Sequence, residues 1–600
     1  MLKHCQPYYY LKMRKMIKQI GLLFCLFGLS LFSCSSKTDS SPANTDIIRL
    51  TLVKGDGFEV KTPVVDIKSG EDAYFDLNFN SGISFEKCDY QHYGISLNDD
   101  DSIRLTLYDV IYPTRVTVST QLGDNSILYD LNGGSFLDGR SATTFLDYYD
   151  ISKHKRPNTQ IGINQIYRDG YELIGWNTKA DYSGTIIGLG SRVSTDALKT
   201  MLLFAQWKKE TDISEFTYVT TDNSVTIKSY SGSDSELVIP AFIDDLPVTS
   251  VSRGAVKGFV GNLYLPCTMS AVEKFAFTDC QINEITFFDN ITDISEMSFV
   301  GSSIPTWHIN AILSPVYVGK SDNTQFAENI DHLMLSQGKN RLIIFGGCSV
   351  SYGLKSELIQ EAYPDYEVLD CGVIGGTNAK IQFEIIKNFL HEGDIFIHAP
   401  EEGSLYQLMY STSAEARMFM LVEGNYDLLS LVDMSSISNS FSVFTLFNRT
   451  RKEQEPSSYE SYLTDYNGFG DICIERNNTP SDVSYSDYAY GYDLNYVTES
   501  SINGLIIEYN NIKEKGAKVY FSYGPVNYNG LTDEALSSRT WLSFAKKYQD
   551  ALPQAGIPII SDVSNYLYLG RYFYDTDYHL NDNGAIKRTQ NLIIDLKAVL

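Results

Sequence analysis

The sequence predicts a multidomain chain in which β-rich modules (a small β-sandwich, a compact aromatic-rich β unit and a short solenoid) precede one three-layer α/β domain. Three observations predict it. The 600 residues exceed what a single core organises and correspond to about four domains at roughly 150 residues each. Through residues 46–322, short alternating apolar runs are divided by Gly, Asp and Asn, the period of strands with one buried face. Beyond them, continuous apolar runs alternate with helically spaced stretches, the pattern of buried parallel strands joined by helices.

The chain opens with Lys12, Arg14, Lys15 and Lys18, an apolar run over 20–32, and then Ser33-Cys34-Ser35-Ser36. A basic segment, a short apolar stretch and a small-residue site describe a secretory signal at 1–34 rather than a spanning helix. Leu31-Phe-Ser-Cys34 resembles the lipobox of bacterial lipoproteins, with Phe32 bulkier than that family carries. The resemblance implies lipidation at Cys34, and Ser35 in place of Asp implies an exported protein anchored at the cell surface or outer membrane. The alternative is an ordinary cleaved signal that leaves Cys34 incidental. Residues 35–45, rich in Ser, Asp, Thr, Pro and Asn, read as a flexible tether.

A formal charge of −26 excludes a nucleic-acid partner, because phosphates demand a basic face. Nine cysteines are scattered without a CxxC pair or metal-ligand spacing, so no metal, cofactor or disulfide framework is expected. Forty-two tyrosines suit sugar-facing surfaces and β-rich packing equally.

Within 46–124, Ile103-Arg-Leu-Thr-Leu-Tyr-Asp-Val and Thr114-Arg-Val-Thr-Val-Ser alternate with period two, as expected of a small sandwich. Residues 125–208 carry Tyr129-Asp-Leu-Asn-Gly-Gly-Ser-Phe136, Asp169-Gly-Tyr-Glu-Leu-Ile-Gly-Trp176 and Leu203-Phe-Ala-Gln-Trp207. In that order these resemble the Listeria-Bacteroides repeat, a small β-grasp-like unit of bacterial surface proteins. Physically, Asn132-Gly-Gly134 offers positive-φ turn residues, and Trp176, Phe204 and Trp207 are expected to fill the core. Over 209–322, Val248-Thr-Ser-Val251, Met269-Ser-Ala-Val272 and Ile291-Thr-Asp-Ile294 recur 21 and 22 residues apart. Each is followed by a small-plus-apolar pair: Ala255-Val256, Ala276-Phe277 and Ser298-Phe299. That period predicts a solenoid. With Leu237-Val-Ile-Pro240 and the step from Phe277 to Cys280 it resembles BspA-like leucine-rich repeats, which implies a binding face for a host or bacterial surface ligand, or a spacer.

The last domain, 326–600, is expected to contain buried parallel strands at 342–345, 366–370, 394–398, 517–522 and 557–560. Helices are expected at 354–362, 379–390, 502–515, 534–552 and 585–600, and a Tyr-rich excursion at about 448–495 beside the site. The first strand runs into Gly346-Gly-Cys-Ser-Val-Ser-Tyr-Gly353, which would present Ser349 at the carboxyl edge of the sheet, where open α/β sheets hold their chemistry. Asp575-Thr-Asp-Tyr-His579 supplies a histidine and carboxylates, the base and base-orienter that a serine nucleophile needs.

These residues resemble the SGNH (GDSL-like) hydrolase superfamily, which adopts a three-layer, flavodoxin-like α/β fold. Gly347-Cys-Ser-Val-Ser-Tyr-Gly353 matches its first block with Cys348 in place of the usual Asp, implying Ser349 as nucleophile. Asp370-Cys-Gly-Val-Ile-Gly-Gly376 matches the second block and implies an oxyanion hole from the N–H groups of Gly375 and Ser349. Thr576-Asp-Tyr-His579 implies His579 as base with Asp577 fixing its tautomer, and Asp575 as the alternative acid. The third-block Asn is replaced by His398-Ala-Pro-Glu-Glu402, leaving Asn378 as a substitute donor. A one-residue shift of the first block makes Cys348 the nucleophile instead.

Other readings of the same residues remain open. Ser349 would serve only the turn, His579 would merely precede a helix capped by Asn581 or Asp582, and Glu401 and Glu402 would be a solvated loop or contacts to a sugar hydroxyl. His398 and Cys371 are expected to be satisfied core residues. The resemblance implies a serine esterase or acyltransferase acting on acylated polysaccharide, with O-acetyl groups as the first candidates. A non-catalytic adhesin with a degenerate domain is the alternative. Catalysis expects Ser349 Oγ about 2.6–3.5 Å from the His579 ring, looser in an unliganded site, and a separation above roughly 7 Å would leave the enzyme reading without its mechanism.

Overall fold

The structure is a computed structural model that describes residues 47–53, 58–79, 83–98, 102–122, 126–136, 139, 144–148, 166–191, 201–311, 322–373, 379–401, 415–423, 425–437, 439–453, 466–476, 482–485, 494–495 and 497–600. The chain divides into two compact units, Met1–Ser314 and Pro315–Leu600. The first is β-rich and contains several modules; the second is mixed α/β.

In the first unit, two four-stranded sheets face each other. One runs Val64–Lys68, Ile47–Val53, Thr114–Leu122, Ile83–Cys88; the other runs Phe58–Val60, Glu71–Phe79, Ile103–Val110, Tyr93–Leu97. Alternate residues Leu50 and Leu52, Phe75 and Leu77, Leu105 and Leu107, and Val116 and Val118 make their common core. Each such side chain contributes about 1.5–3 kcal/mol when fully buried.

A five-stranded sheet follows, ordered Thr144–Tyr148, Ser126–Asp130, Met201–Lys209, Tyr171–Asn177, Ile186–Ile187. Tyr129, Trp176, Leu203 and Trp207 lie in its core, with the Tyr129 and Trp176 rings 4.6 Å apart. Asn132 and Gly133 take positive φ of 47° and 86° in the turn, and the Trp207 indole N–H donates to the Leu131 carbonyl there at 2.8 Å. Phe204 departs from expectation. Strand alternation sends Leu203, Ala205 and Trp207 inward, and Phe204 lies on the opposite face, only half-buried.

The solenoid stacks its turns through parallel ladders. Ser250 pairs with Ala271 and Ala271 with Asp293, so each turn lies one sequence repeat beyond the last. A second ladder aligns Glu236–Val238, Val260–Tyr264, Gln281–Phe288 and Thr306–Asn310, all parallel. All twelve recurring apolar and small positions, from Val248 to Phe299, are buried. The aromatic-rich module and the solenoid share an interface: the Asn310 amide bridges the Ile174 carbonyl and the Leu189 N–H. Glu172 is buried in the same seam and accepts the Cys267 N–H at 3.2 Å. Burial, with Glu210 adding to it, pushes the Glu172 pKa up to about 8.

The second unit is built on a parallel sheet ordered Glu367–Gly372, Arg341–Gly346, Ile395–His398, Lys518–Phe521. The expected fifth strand is reduced to a bridge between Phe521 and Ile559. Both faces are covered, which is why the strands are continuously apolar. On one face Leu342, Ile344, Val368, Ile395 and Ile397 pack under the Ser356–Ala362 and Asp582–Leu596 helices. On the other, Phe345 and Phe396 meet Phe383 of the Ala379–Ile386 helix, and Phe383 meets Tyr509 of the Glu499–Lys513 helix. The helix expected at 534–552 is two, Asp533–Ser538 and Thr540–Ala551, broken where Arg539 takes a left-handed φ of 52°. A buried ion pair, Arg341 to Asp394 at 2.6 and 2.8 Å, ties the starts of two central strands.

Candidate active site

The strand order determines where a site can form. Arg341–Gly346 lies between Glu367–Gly372 on one side and Ile395–His398 on the other, so the chain leaves its first strand in one direction and returns on the other. Ligands of open parallel sheets bind at such a reversal, beyond the carboxyl ends of the strands. The segments that emerge there are 347–353 and 399–401, the Gly-rich turn and part of the segment standing where the third block would be.

Gly347 begins the four-residue helix Cys348–Ser351. Ser349 is fully buried, and its Oγ has no hydrogen-bond partner. The Ser349 N–H donates to Glu401 Oε1 at 2.9 Å. The half-buried Cys348 thiol donates to the same oxygen at 3.4 Å. Glycine at 347 leaves room for this approach, because a Cβ there would meet both Glu401 carboxylate oxygens and displace them. From beneath, the buried Arg588 guanidinium donates to the Ser349 carbonyl.

His579 lies on the loop before the Asp582–Leu596 helix, whose N-cap is Asn581 accepting the Gly584 N–H at 3.0 Å. Its Nδ1 is 2.8 Å from Asp575 Oδ1, and its backbone N–H donates to Thr576 Oγ1 at 2.9 Å. A carboxylate only accepts, so Nδ1 carries the proton and Nε2 of the neutral ring is the basic nitrogen. The imidazole stacks flat on Tyr352, one turn beyond Ser349, with centroids 3.9 Å apart and planes 5° from parallel. Arg476 stands 5.6 Å from the Tyr352 ring centroid and donates to its carbonyl at 2.6 Å. Arg476 and Lys355 both pair with Asp582. Burial pushes that carboxyl up, and the hydrogen bond from Lys355 with the two positive charges more than offsets it, so its pKa lies below the ordinary 3.8.

The Tyr-rich excursion returns to the site through Tyr466–Arg476, as its composition suggested. Asp370 N–H donates to the Phe469 carbonyl at 2.8 Å and Ile472 N–H to the Ser351 carbonyl at 3.0 Å. Asp471 accepts both the N–H and the hydroxyl of Ser356, at 2.7 and 2.5 Å. Burial, and then the nearby Asp471 carboxylate, hold Asp370 well above the ordinary carboxylate range.

The carboxylate on His579 is thus Asp575, not Asp577. Asp577 is buried and accepts from Asn527 Nδ2 at 2.5 Å, Ser484 Oγ at 3.1 Å and Tyr485 N–H at 3.2 Å. Ser349 makes no hydrogen bond to His579 in this state. Gly375, Asn378, Glu402 and Cys34 lie outside the described residues. Glu401 is no solvated loop residue, being buried against the turn. His398 is a core histidine, its Nδ1 2.6 Å from the Tyr509 hydroxyl and its pKa lowered to about 3 by burial. Burial also pushes the Cys371 thiol up. Tyr352, Arg476 and Asp471 escaped sequence reasoning, since only their three-dimensional neighbours distinguish them from other buried or turn residues. Among the described residues no cluster of three or more His, Cys, Asp or Glu suits a metal ion, and no helix is long and apolar enough to cross a membrane. No family model and no curated protein matches the chain.

Proposed function

We propose that the Pro315–Leu600 unit is an SGNH-like esterase or acyltransferase acting on O-acetyl groups of polysaccharide, carried outside the cell on a lipid at Cys34. The observation that carries this reading is the His579–Asp575 pair beside the Gly-rich turn. The ring lies on Tyr352, three residues beyond Ser349, whose buried hydroxyl has no partner, in the turn that follows the strand where the sheet order reverses. Orphaned buried polar atoms are rare, and active sites are one place where they persist. In the proposed reaction, Ser349 Oγ attacks the ester carbonyl while His579 Nε2 takes its proton. Collapse of the tetrahedral adduct breaks the ester C–O bond, and His579 returns the proton to the departing sugar oxygen. Water or an acceptor hydroxyl then resolves the acyl-serine by the same route. Asp575 holds the Nδ1–H throughout.

A second reading is favoured by a different observation. Ser349 is not hydrogen-bonded to His579 and its N–H is engaged by Glu401, as in an adhesin whose α/β unit is degenerate and whose solenoid binds a surface ligand. Acetate release by the full chain from p-nitrophenyl acetate and acetylated xylan separates the two. The esterase predicts losses of about 1,000-fold or more in Ser349→Ala and His579→Ala, with Cys348→Ala near wild type. Loss confined to Cys348→Ala and His579→Ala would move the nucleophile to the thiol. No hydrolysis of either substrate by folded wild type would leave the adhesin or a transferase that needs an acceptor hydroxyl.

A further inference from the structure

The geometry points to Glu401 as an internal occupant of the oxyanion position, a carboxylate that holds the nucleophile turn in a masked state until substrate displaces it. This rests on the esterase reading for its consequence, though not for its geometry. One oxygen, Oε1, accepts both the Ser349 N–H at 2.9 Å and the Cys348 S–H at 3.4 Å. In acyl transfer at Ser349 that N–H is a donor the developing oxyanion needs. A carboxylate oxygen in the same place satisfies the donor in advance and repels the incoming negative charge.

The contact is built into the fold. Glu401 follows the Ile395–His398 strand, whose neighbour Arg341–Gly346 feeds the turn, so two adjacent strand ends deliver acceptor and donors to one point. Ala399 N–H donates to the Phe345 carbonyl at 2.8 Å, which sets the register of the two ends. Gly347 lacks the Cβ that would push the carboxylate away. Glu401 is buried with the turn it caps. With its N–H taken by Glu401, Ser349 offers no free backbone donor in this state.

The thiol of Cys348 reports on the mask independently of any esterase activity. A carboxylate accepting from S–H favours the thiol over the thiolate, and thiolate is the species that alkylates. The test compares wild type, Glu401→Gln and Glu401→Asp in the full chain. Iodoacetamide modification of Cys348 is followed by peptide mass spectrometry, with the exposed Cys473 as internal reference. Glutamine keeps the shape without the charge, and aspartate keeps the charge one methylene short of the turn.

Cys348 modification should rise about 5- to 10-fold in Glu401→Gln and also in Glu401→Asp, with acetate release from p-nitrophenyl acetate rising alongside. Unchanged modification in both variants overturns the proposal. So does hydrolysis by Glu401→Gln falling to the His579→Ala level, because Glu401 would then assist the chemistry rather than mask it. If modification rises while neither wild type nor either variant hydrolyses ester, the masking carboxylate stands and the esterase reading falls.

Discussion

At the scale of single residues, charge and burial separate two aspartates that the chain places two positions apart. Asp575 is half exposed and holds His579, whereas Asp577 is buried with three donors on it. On the esterase reading, Asp575→Asn should lower kcat about 10- to 100-fold, with almost no change in melting, because an exposed pair contributes little to stability. Asp577→Ala should do the reverse in kind, destabilising the unit by about 2–3 kcal/mol through loss of the buried acceptor shared by Asn527, Ser484 and Tyr485. Measuring kcat and urea midpoint on both variants checks the division. Glu172 offers a pH test in the first unit. Its folded pKa of about 8 lies above the ordinary 4.5, so its contribution to stability is full below about pH 4.5 and is lost as the pH rises towards 8. Glu172→Gln keeps the acceptor for Cys267 N–H and removes that loss. The variant should match wild type at pH 4 and exceed it at pH 8.5 by roughly 5 kcal/mol, read as a higher melting temperature of the first unit.

At the scale of elements, Tyr466–Arg476 acts as a clasp. It adds backbone bonds to Asp370 and Ser351, carries the Asp471 carboxylate to Ser356 and brings Arg476 to Tyr352 and Asp582. Asp471→Ala leaves the Ser356 N–H and hydroxyl buried without their acceptor, at a cost of about 1–3 kcal/mol for a stranded polar group. The urea midpoint of the second unit should fall accordingly, and on the esterase reading kcat should fall with it, since the clasp holds the Tyr352 ring on which His579 lies flat. A stability loss with kcat untouched would show that the clasp serves folding alone.

At the scale of the whole molecule, two compact units with separate cores predict two calorimetric transitions. Arg341→Met provides the discriminating variant, because Arg341 and Asp394 are both wholly buried. Removing one partner of a buried pair costs about 3–5 kcal/mol. The second transition should move down by several degrees while the first stays in place. Movement of both together would mean that the chain unfolds as one cooperative body.

Period and composition sufficed for the elements whose residues depend mainly on immediate neighbours. Alternation located the strands at Ile103–Val110 and Thr114–Leu122, and the 21- and 22-residue spacing identified the solenoid positions that stack in register. Continuous apolar runs marked the parallel strands, because burial on both faces leaves no polar side to alternate with. Register, pairing and occupancy were decided only by tertiary structure. Phe204 leaves the aromatic core for the other face of its strand because Leu203, Ala205 and Trp207 together satisfy the inner one. His579 has carboxylates at two spacings, and Asn527, distant in sequence, takes Asp577 and leaves Asp575 for the ring. Glu401, polar and beside a proline in sequence, is buried because two strand ends bring it to the Gly-rich turn. Local pattern records which face of an element is apolar, whereas which polar groups meet depends on contacts between segments the fold brings together.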